Sequence, residues 1–261
     1  MLLSGKSRHF EHTQCSFNQI TGSPLAYWLP AAFICKMKQW KPLKDLAEPR
    51  SGLTTGNNDK FLRYWFEVSE FNKQREDVNY DESVFDKWVP LNGGSSFRKW
   101  YGSNYYVINW KNKGAEIKNS EAATMANPAF QFKAGVTWSK ISGTAISVRR
   151  TGPGFVFSAV GLKAFPTKEN INFVCGLLNS KIVHYLVPVF SSNLTILSGD
   201  IAKYPVAEDV PEEIANNVDR LCDISKSDWD GQEISWDFLA SPLRQYAYPS
   251  LHKSYDMWES Q

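Results

Sequence analysis

Three short stretches carry residue types and spacings suited to contact with phosphates and bases. Thr54-Thr55-Gly56-Asn57-Asn58-Asp59-Lys60-Phe61 packs hydroxyls, amides, a permissive glycine and a lysine into one loop that enters a strand. Such loops offer backbone N–H groups and short polar side chains to phosphates or base edges, and Asn can pair bidentately with adenine. Thr55, Asn57, Asn58 and Lys60, with Arg63 just beyond, are its candidate binding residues. A turn closed by an Asx cap uses the same residue types. Phe97-Arg98-Lys99-Trp100-Tyr101-Gly102-Ser103-Asn104 sets two cations beside two aromatics, and Arg98, Lys99 and Tyr101 suit phosphate clamping or stacking. The alternative is a strand edge guarded by its charges. Thr137-Trp138-Ser139-Lys140 and Ser147-Val148-Arg149-Arg150 flank Ser142-Gly143, which is expected as a tight hairpin turn. Alternation along the second strand puts Ser147 and Arg149 on one face and Arg150 on the other. Arg is the commonest reader of guanine in the major groove, and a β-ribbon fits that groove.

Catalytic signatures are scarce. The sequence has no G-x-x-x-x-G-K-[ST], no G-x-G-x-x-G and no G-x-S-x-G. Asn127-Pro128-Ala129-Phe130 resembles the Asn-Pro-Pro-aromatic loop that holds a flipped adenine in amino-methyltransferases, but Ala replaces the second Pro, and a plain turn is the better reading. Glu116-Ile117-Lys118, with Asp86 upstream, has the residue types of half a magnesium nuclease site, at a spacing that arises by chance. His9, His12, His184 and His252 lack partners at diagnostic spacing, and Cys15, Cys35, Cys175 and Cys222 form no C-x-x-C pair, so no metal site, disulfide framework or catalytic residue is assigned. The cysteines are expected as reduced, mostly core thiols.

The elements that must position these stretches follow from period and punctuation. Ala31 to Gln39 is a short apolar helix after a Gly22-Ser23-Pro24 turn, and residues 43–63 carry loop chemistry. Residues 61–68, 104–110, 136–141, 144–149 and 154–160 are β-branched or aromatic runs between Gly, Asn or Pro, predicting a twisted antiparallel or mixed sheet. Thr167 caps a helix in which Ile171, Val174, Leu177, Leu178 and Ile182 recur, with Pro188 as its stop. A second helix is expected from Pro211 to about Ile224, capped by Asp209. The predicted fold is α+β, a twisted mostly antiparallel or mixed sheet with flanking helices plus a C-terminal helical segment. Its expected division is a lead-in over 1–42, a recognition domain over 43–206 and an acidic helical tail over 207–261.

Composition agrees. With 43% hydrophobic residues and 10 Trp the chain has the means to bury a core, which excludes wholesale disorder. The net charge of +2 hides a segregation: residues 1–200 hold 24 Lys and Arg against 15 Asp and Glu, while residues 201–261 hold 5 against 12. Within 95–150 nine basic residues face only Glu116 and Glu121, interleaved with aromatics. That is the electrostatic footprint of a surface that tracks a phosphate backbone; a solvated basic face over aromatic core is the alternative. No apolar run approaches the roughly 20 residues of a bilayer span, and Met1 to Cys15 is polar, so a cytoplasmic protein with no membrane contact is expected.

The order of GSPLAYW (22–28), TTGNNDKFLRYWFEV (54–68), KWVPLNGGSSFRKWYGSN (87–104), VINW (107–110), VTWSKISGTAISVRR (136–150), GFVFSAVG (154–161), LLNSKI (177–182), GDIAKYPV (199–206) and SDWDGQEISWDF (227–238) closely resembles the C-terminal part of the PglX family. These are adenine-specific DNA methyltransferases of BREX bacteriophage-exclusion systems, related to type IIG restriction–modification enzymes. The resemblance implies a target-recognition domain for double-stranded DNA that lacks the catalytic domain, its Asn-Pro-Pro-Tyr motif and its S-adenosylmethionine site. It further implies base contacts from Thr137–Lys140 and Ser147–Arg150, and backbone contacts from the TGNNDKF and FRKWYG loops. Implied partners are DNA, the methyltransferase catalytic domain and other defence-system proteins, and a DNA-reading surface is a natural target for phage DNA mimics. Two departures stand out: Thr21 where the family has Pro, and Leu91-Asn92-Gly93-Gly94 in place of its Tyr-Asn-Lys-Gly-Gly, which removes a phosphate-holding Lys from that loop. A protein-interaction module of the same defence system, without DNA reading, is the competing class.

Overall fold

The computed structural model describes residues 26, 28–69, 87–142, 145–191, 194–206, 212–246 and 250–259. Gly22–Pro24, Asp86, His9, His12, Cys15, Gly143, Asp209 and Pro211 lie outside them. The strands are β1 (Lys41–Pro42), β2 (Ala47–Arg50), β3 (Leu62–Tyr64), β4 (Trp88–Asn92), β5 (Tyr106–Asn109), β6 (Gly135–Ser139), β7 (Val148–Thr151), β8 (Val156–Phe157), β9 (Gly161–Pro166) and β10 (Pro205–Val206). The helices that pack against the sheets or close the chain include α1 (Ala31–Met37), α2 (Ile171–Asn179), α3 (Lys181–Phe190), α4 (Glu212–Asp230) and α5 (Leu251–Glu259). The fold is α+β, as the sequence predicts.

Two four-stranded sheets carry the architecture. The first, β2-β9-β6-β7, is antiparallel throughout; the second, β3-β5-β4-β8, ends in a parallel β4–β8 pair, and β1 pairs separately with β10. Pro49 sits in β2, the outermost strand of the first sheet, where a residue with no N–H to donate is tolerated. On one face of that sheet Val136, Trp138, Val148, Leu162 and Ala164 alternate into a core with Val174, Cys175 and Leu178 of α2 and Val218 and Cys222 of α4. The second sheet packs Val89, Leu91, Ile108 and Val156 against Phe61, Trp110, Ile117 and Phe132.

A buried polar network joins the sheets. Lys163 of β9 is fully buried, and its Nζ donates to Asn92 Oδ1 of β4 at 3.3 Å and to Thr151 Oγ1 of β7 at 3.4 Å, between the rings of Phe155 and Phe165. Burial pushes its ammonium down to about 7. Nearby, a side chain at Gly161 would place its Cβ 2.3 Å from the Asn92 carbonyl oxygen, so glycine is what lets the sheets approach.

Several sequence expectations change. The loop expected over 43–63 contains β2, and β4 and β9 were not foreseen. The single helix expected from Thr167 is two: Ser180, whose hydroxyl accepts from Val183 N, restarts the chain as α3 at a bend of 73°. Pro188 lies inside α3, in its last turn, rather than ending α2. Among the described residues no single helix is long and apolar enough to cross a membrane.

Candidate nucleic-acid interface

The loop 53–59 is pinned at its start by backbone. Leu53 N donates to Phe157 O, Ala159 N to Leu53 O, and Thr54 exchanges both bonds with Thr124. Gly56 turns it at φ +71°, a conformation that favours glycine. Within it Thr55 Oγ1 donates to Asn58 Oδ1 at 2.6 Å, and Asn57 Oδ1 accepts from Lys60 N at 3.0 Å. The Asx cap and the polar display coexist: Asn57, Asn58 and Lys60 remain exposed, Thr55 is buried, and Lys60 Nζ lies 4.9 Å from the Phe61 ring. Arg63 bonds the carbonyls of Asp59 and Leu62 through one guanidinium nitrogen. The loop forms one wall of a cleft of about 650 Å³, closed opposite by Leu91, Gly93, Gly94 and residues 158–160.

A second hollow of about 480 Å³ adjoins it through Ser95. Its lining is rich in hydroxyls, from Ser95, Ser96, Ser139, Ser142 and Ser147, with the exposed Phe97 and Ile141 beside them. Ser139 Oγ donates to Ser95 O and accepts from Ser95 N, which fixes one loop on the other. A third hollow, of about 300 Å³, is lined by Lys140, Ala159, Asp200 and Lys203 among others. Ala159 lines both the first and third hollows, and the half-exposed Val160 beside it lies against Gly94 while its carbonyl accepts from Lys140 N. Loop 54–60 thus shares the cleft with Gly93 and Gly94, and residues 95–97 share the second hollow with Ser139, Ile141, Ser142, Ala145 and Ser147, which makes one continuous rim along the 93–97 segment.

The remaining expected residues go elsewhere. The flanks expected to present a hairpin are core: Thr137, Trp138, Ser139, Ser147 and Arg149 are each less than 9% exposed. Alternation holds, with Arg149 on one face and Arg150 on the other, but both faces of the sheet are covered, so a solvent-facing ribbon is corrected to a buried strand pair. Thr137 Oγ1 donates to Leu162 O and Trp138 Nε1 to Ile196 O. The β6–β7 register ends at Trp138 opposite Val148, and Gly143 of the expected turn lies outside the described residues. Burial holds the Arg149 guanidinium down at about 10, and it donates to Arg98 O. On the other face Arg150 donates to Asn172 Oδ1 at 2.8 Å and to the Asp219 carboxylate of α4. Burial opposes its charge, yet Asp219 outweighs burial and raises its pKa.

The FRKWYG stretch runs beside β7, with Trp100 N donating to Val148 O and Trp100 O accepting from Arg150 N. Arg98 is enclosed by Tyr101 O, Ser225 O, Asp228 Oδ2 at 2.7 Å and the Trp229 ring, and Lys99 Nζ donates to Asn179 O at 2.9 Å. Lys226 lies over the Tyr101 ring at 5.2 Å. The acidic tail therefore folds back onto this part of the basic stretch, and charge counting along the chain could not foresee the pairing. Asn127-Pro128-Ala129-Phe130 is a turn whose Asn side chain donates to Ser51 O, and Glu116 and Lys118 are exposed beside the buried Ile117. Among the described residues no three His, Cys, Asp or Glu side chains gather as a metal site. Ser95, Ser96, Val160 and the Tyr64 and Tyr106 rings of the cleft were missed; the Gly93-Gly94 pair beside a serine run was the available signal.

No protein-family model matches the chain. The chain is 32% identical over 240 residues to the adenine-specific methyltransferase PglX of Lacticaseibacillus casei (strain Zhang), which covers 88% of this chain and 20% of that protein. It is 32% identical over 245 residues to the adenine-specific methyltransferase BrxX of Escherichia coli O9:H4 (strain HS), covering 91% of this chain and 19% of the relative. It spans about one fifth of the length of these curated relatives. The chain is thus homologous, over a partial region, to the adenine-specific methyltransferases PglX and BrxX.

Proposed function

We propose that this chain recognises double-stranded DNA in sequence-specific fashion for an adenine-N6 methyltransferase of a phage-defence system. Methyl transfer, and the S-adenosylmethionine it consumes, belong in this reading to a catalytic part of the enzyme outside the chain. The observation that carries the reading is that the 93–97 segment joins loop 54–60 on one side and residues 139–142, 145 and 147 on the other into one polar rim, in a homologue of adenine-specific methyltransferases. Lys60 and Lys140 bring charge to phosphates, while Asn57, Asn58, Arg63 and the serine hydroxyls offer hydrogen-bonding groups to base edges and backbone. Arg149 and Arg150 act here as scaffold, holding β7 and α4, and the rim takes over the contacts first assigned to them. A DNA-mimicking phage protein would compete for the same rim.

A second reading, contact with the catalytic part or with other defence proteins, is favoured at a different place by the exposed Ile224, Leu239 and Leu251. Selection of bound duplexes from a random pool at two salt concentrations tests the first. An enriched motif containing an adenine, with log affinity falling steeply in log salt, is the expected result. Retention independent of salt and sequence would replace it by the interaction reading.

A further inference from the structure

The cleft beside loop 53–59 has a wall that phosphate contacts do not explain. Tyr64 and Tyr106 are directly opposed across β3 and β5, their ring centroids 4.9 Å apart and inclined by 25°, and Phe66 stacks on Tyr64 at 5.2 Å and 4°. Tyr64 is 41% and Phe66 59% exposed. Tyr64 and Tyr106 line the cleft, with Phe66 backing Tyr64 outside it, and such an ordered aromatic wall is suited to a planar partner. Around them stand the edge-bonding groups Asn58, Asp59 and Arg63. Glu67 also lines the cleft, its carboxylate accepting from Tyr64 N at 2.7 Å. A Cβ at Gly93 would lie 3.6 Å from Tyr106 Cδ2, so the glycine leaves that ring uncovered.

We propose that this cleft takes a single unstacked nucleobase, laid against the tyrosine wall. The proposal rests on the DNA reading and deepens it. Asp59 and Glu67 disfavour a phosphate inside the cleft, so the base enters and its phosphate stays outside, on the side of Lys60. Asn58 can both donate to and accept from a base edge, Asp59 can accept from an exocyclic amine, and Arg63 can donate to a ring nitrogen or carbonyl. The hydrogen bond from Tyr106 to Tyr64, with partial burial, pushes the Tyr106 phenol up to about 12, so that ring stays uncharged. Adenine and cytosine, each with an amine beside a ring acceptor, match this edge.

The test uses the full 261-residue chain in two arms, with circular dichroism on every variant. In the first, saturation-transfer NMR follows deoxyadenosine. Transfer onto the base protons is expected, with Tyr64→Leu and Tyr106→Leu each weakening binding about tenfold, the size of one lost base–aromatic stack. Gly93→Val, which fills the cleft and keeps both rings, should weaken it similarly. In the second, duplexes carrying one mismatched 2-aminopurine are titrated; fluorescence quenching on binding is expected, and the same three variants should lose it. Duplex binding with no quenching and no nucleoside transfer overturns this proposal and leaves the DNA reading intact. Nucleoside binding without any duplex binding does the reverse. Capture of a proline-rich peptide by the rings, with no nucleoside bound, also overturns it.

Discussion

Replacing Lys163 by Met should change how stability depends on pH more than it changes stability at any one alkaline pH. The amine lies fully buried between the two sheets, held by Asn92 and Thr151, with its pKa lowered to about 7 against an ordinary value of 10.5. Below about pH 7 it is charged in both folded and unfolded chains, and folding bears the whole cost of burying the charge. Between about 7 and 10.5 the folded chain holds it neutral while the unfolded chain still binds a proton, so stability rises with pH, on the order of 1 kcal/mol per pH unit at most. Above 10.5 both states are neutral and that cost is gone. Met keeps the length and contacts of the aliphatic stem between Phe155 and Phe165, and Asn92 Oδ1 still accepts from Thr151 Oγ1. The variant should therefore be more stable than the parent at pH 6 by a few kcal/mol, with the advantage shrinking as pH rises to 10. Urea denaturation followed by Trp fluorescence at pH 6, 7, 8, 9 and 10 measures it, and subtraction of the two profiles removes the titration of shared tyrosines. Parallel profiles, with no narrowing of the difference, would refute the assignment of a buried, proton-losing amine.

Arg149→Ala should act on folding rather than on sequence choice, lowering stability by about 1–3 kcal/mol through the loss of a buried, hydrogen-bonded side chain while the folded protein keeps its duplex preference; chemical denaturation paired with duplex competition separates the two. Gly56→Ala should cost about 1–3 kcal/mol, since the loop needs φ +71° and the added Cβ would lie 2.6 Å from Ala122, and its midpoint shift in urea checks this. Lys60→Ala should weaken binding to all duplexes alike and reduce the salt slope by about one, with stability unchanged, which a salt titration of affinity would show. Trp138→Ala should cost about 3–5 kcal/mol, because its fully buried ring fills the core under α2.

What the sequence made legible was what local pattern encodes. Ile171, Val174 and Leu178 announce a helix with one buried face, and the Asn57 cap was readable as an alternative to ligand binding because Asn at a helix start satisfies a free N–H. The α+β class followed from the change of period along the chain. What escaped depends on partners distant in sequence. β9 contains Lys163 at its centre, and a lysine there reads as surface until Asn92 and Thr151 are seen beside it. Arg98 and Arg150 look like free cations in a basic stretch, yet Asp228 and Asp219 lie 130 and 69 residues further on. Alternation placed Arg149 and Arg150 on opposite faces, and could not say that α2 and α4 cover one face while the 93–100 segment and the second sheet close the other. The polar rim was half visible, in TTGNNDK; its other half depends on Val160 coming to lie against Gly94 and Lys140.

The most direct test of the DNA face is hydrogen–deuterium exchange of the chain with and without a duplex at low salt. The rim predicts added protection at residues 54–60, 93–97, 139–142, 145–147 and 158–160, with none in α2 or α4. Protection confined to α4 and the residues after it, or to neither region while the duplex is demonstrably bound, would contradict the assignment of that face to DNA.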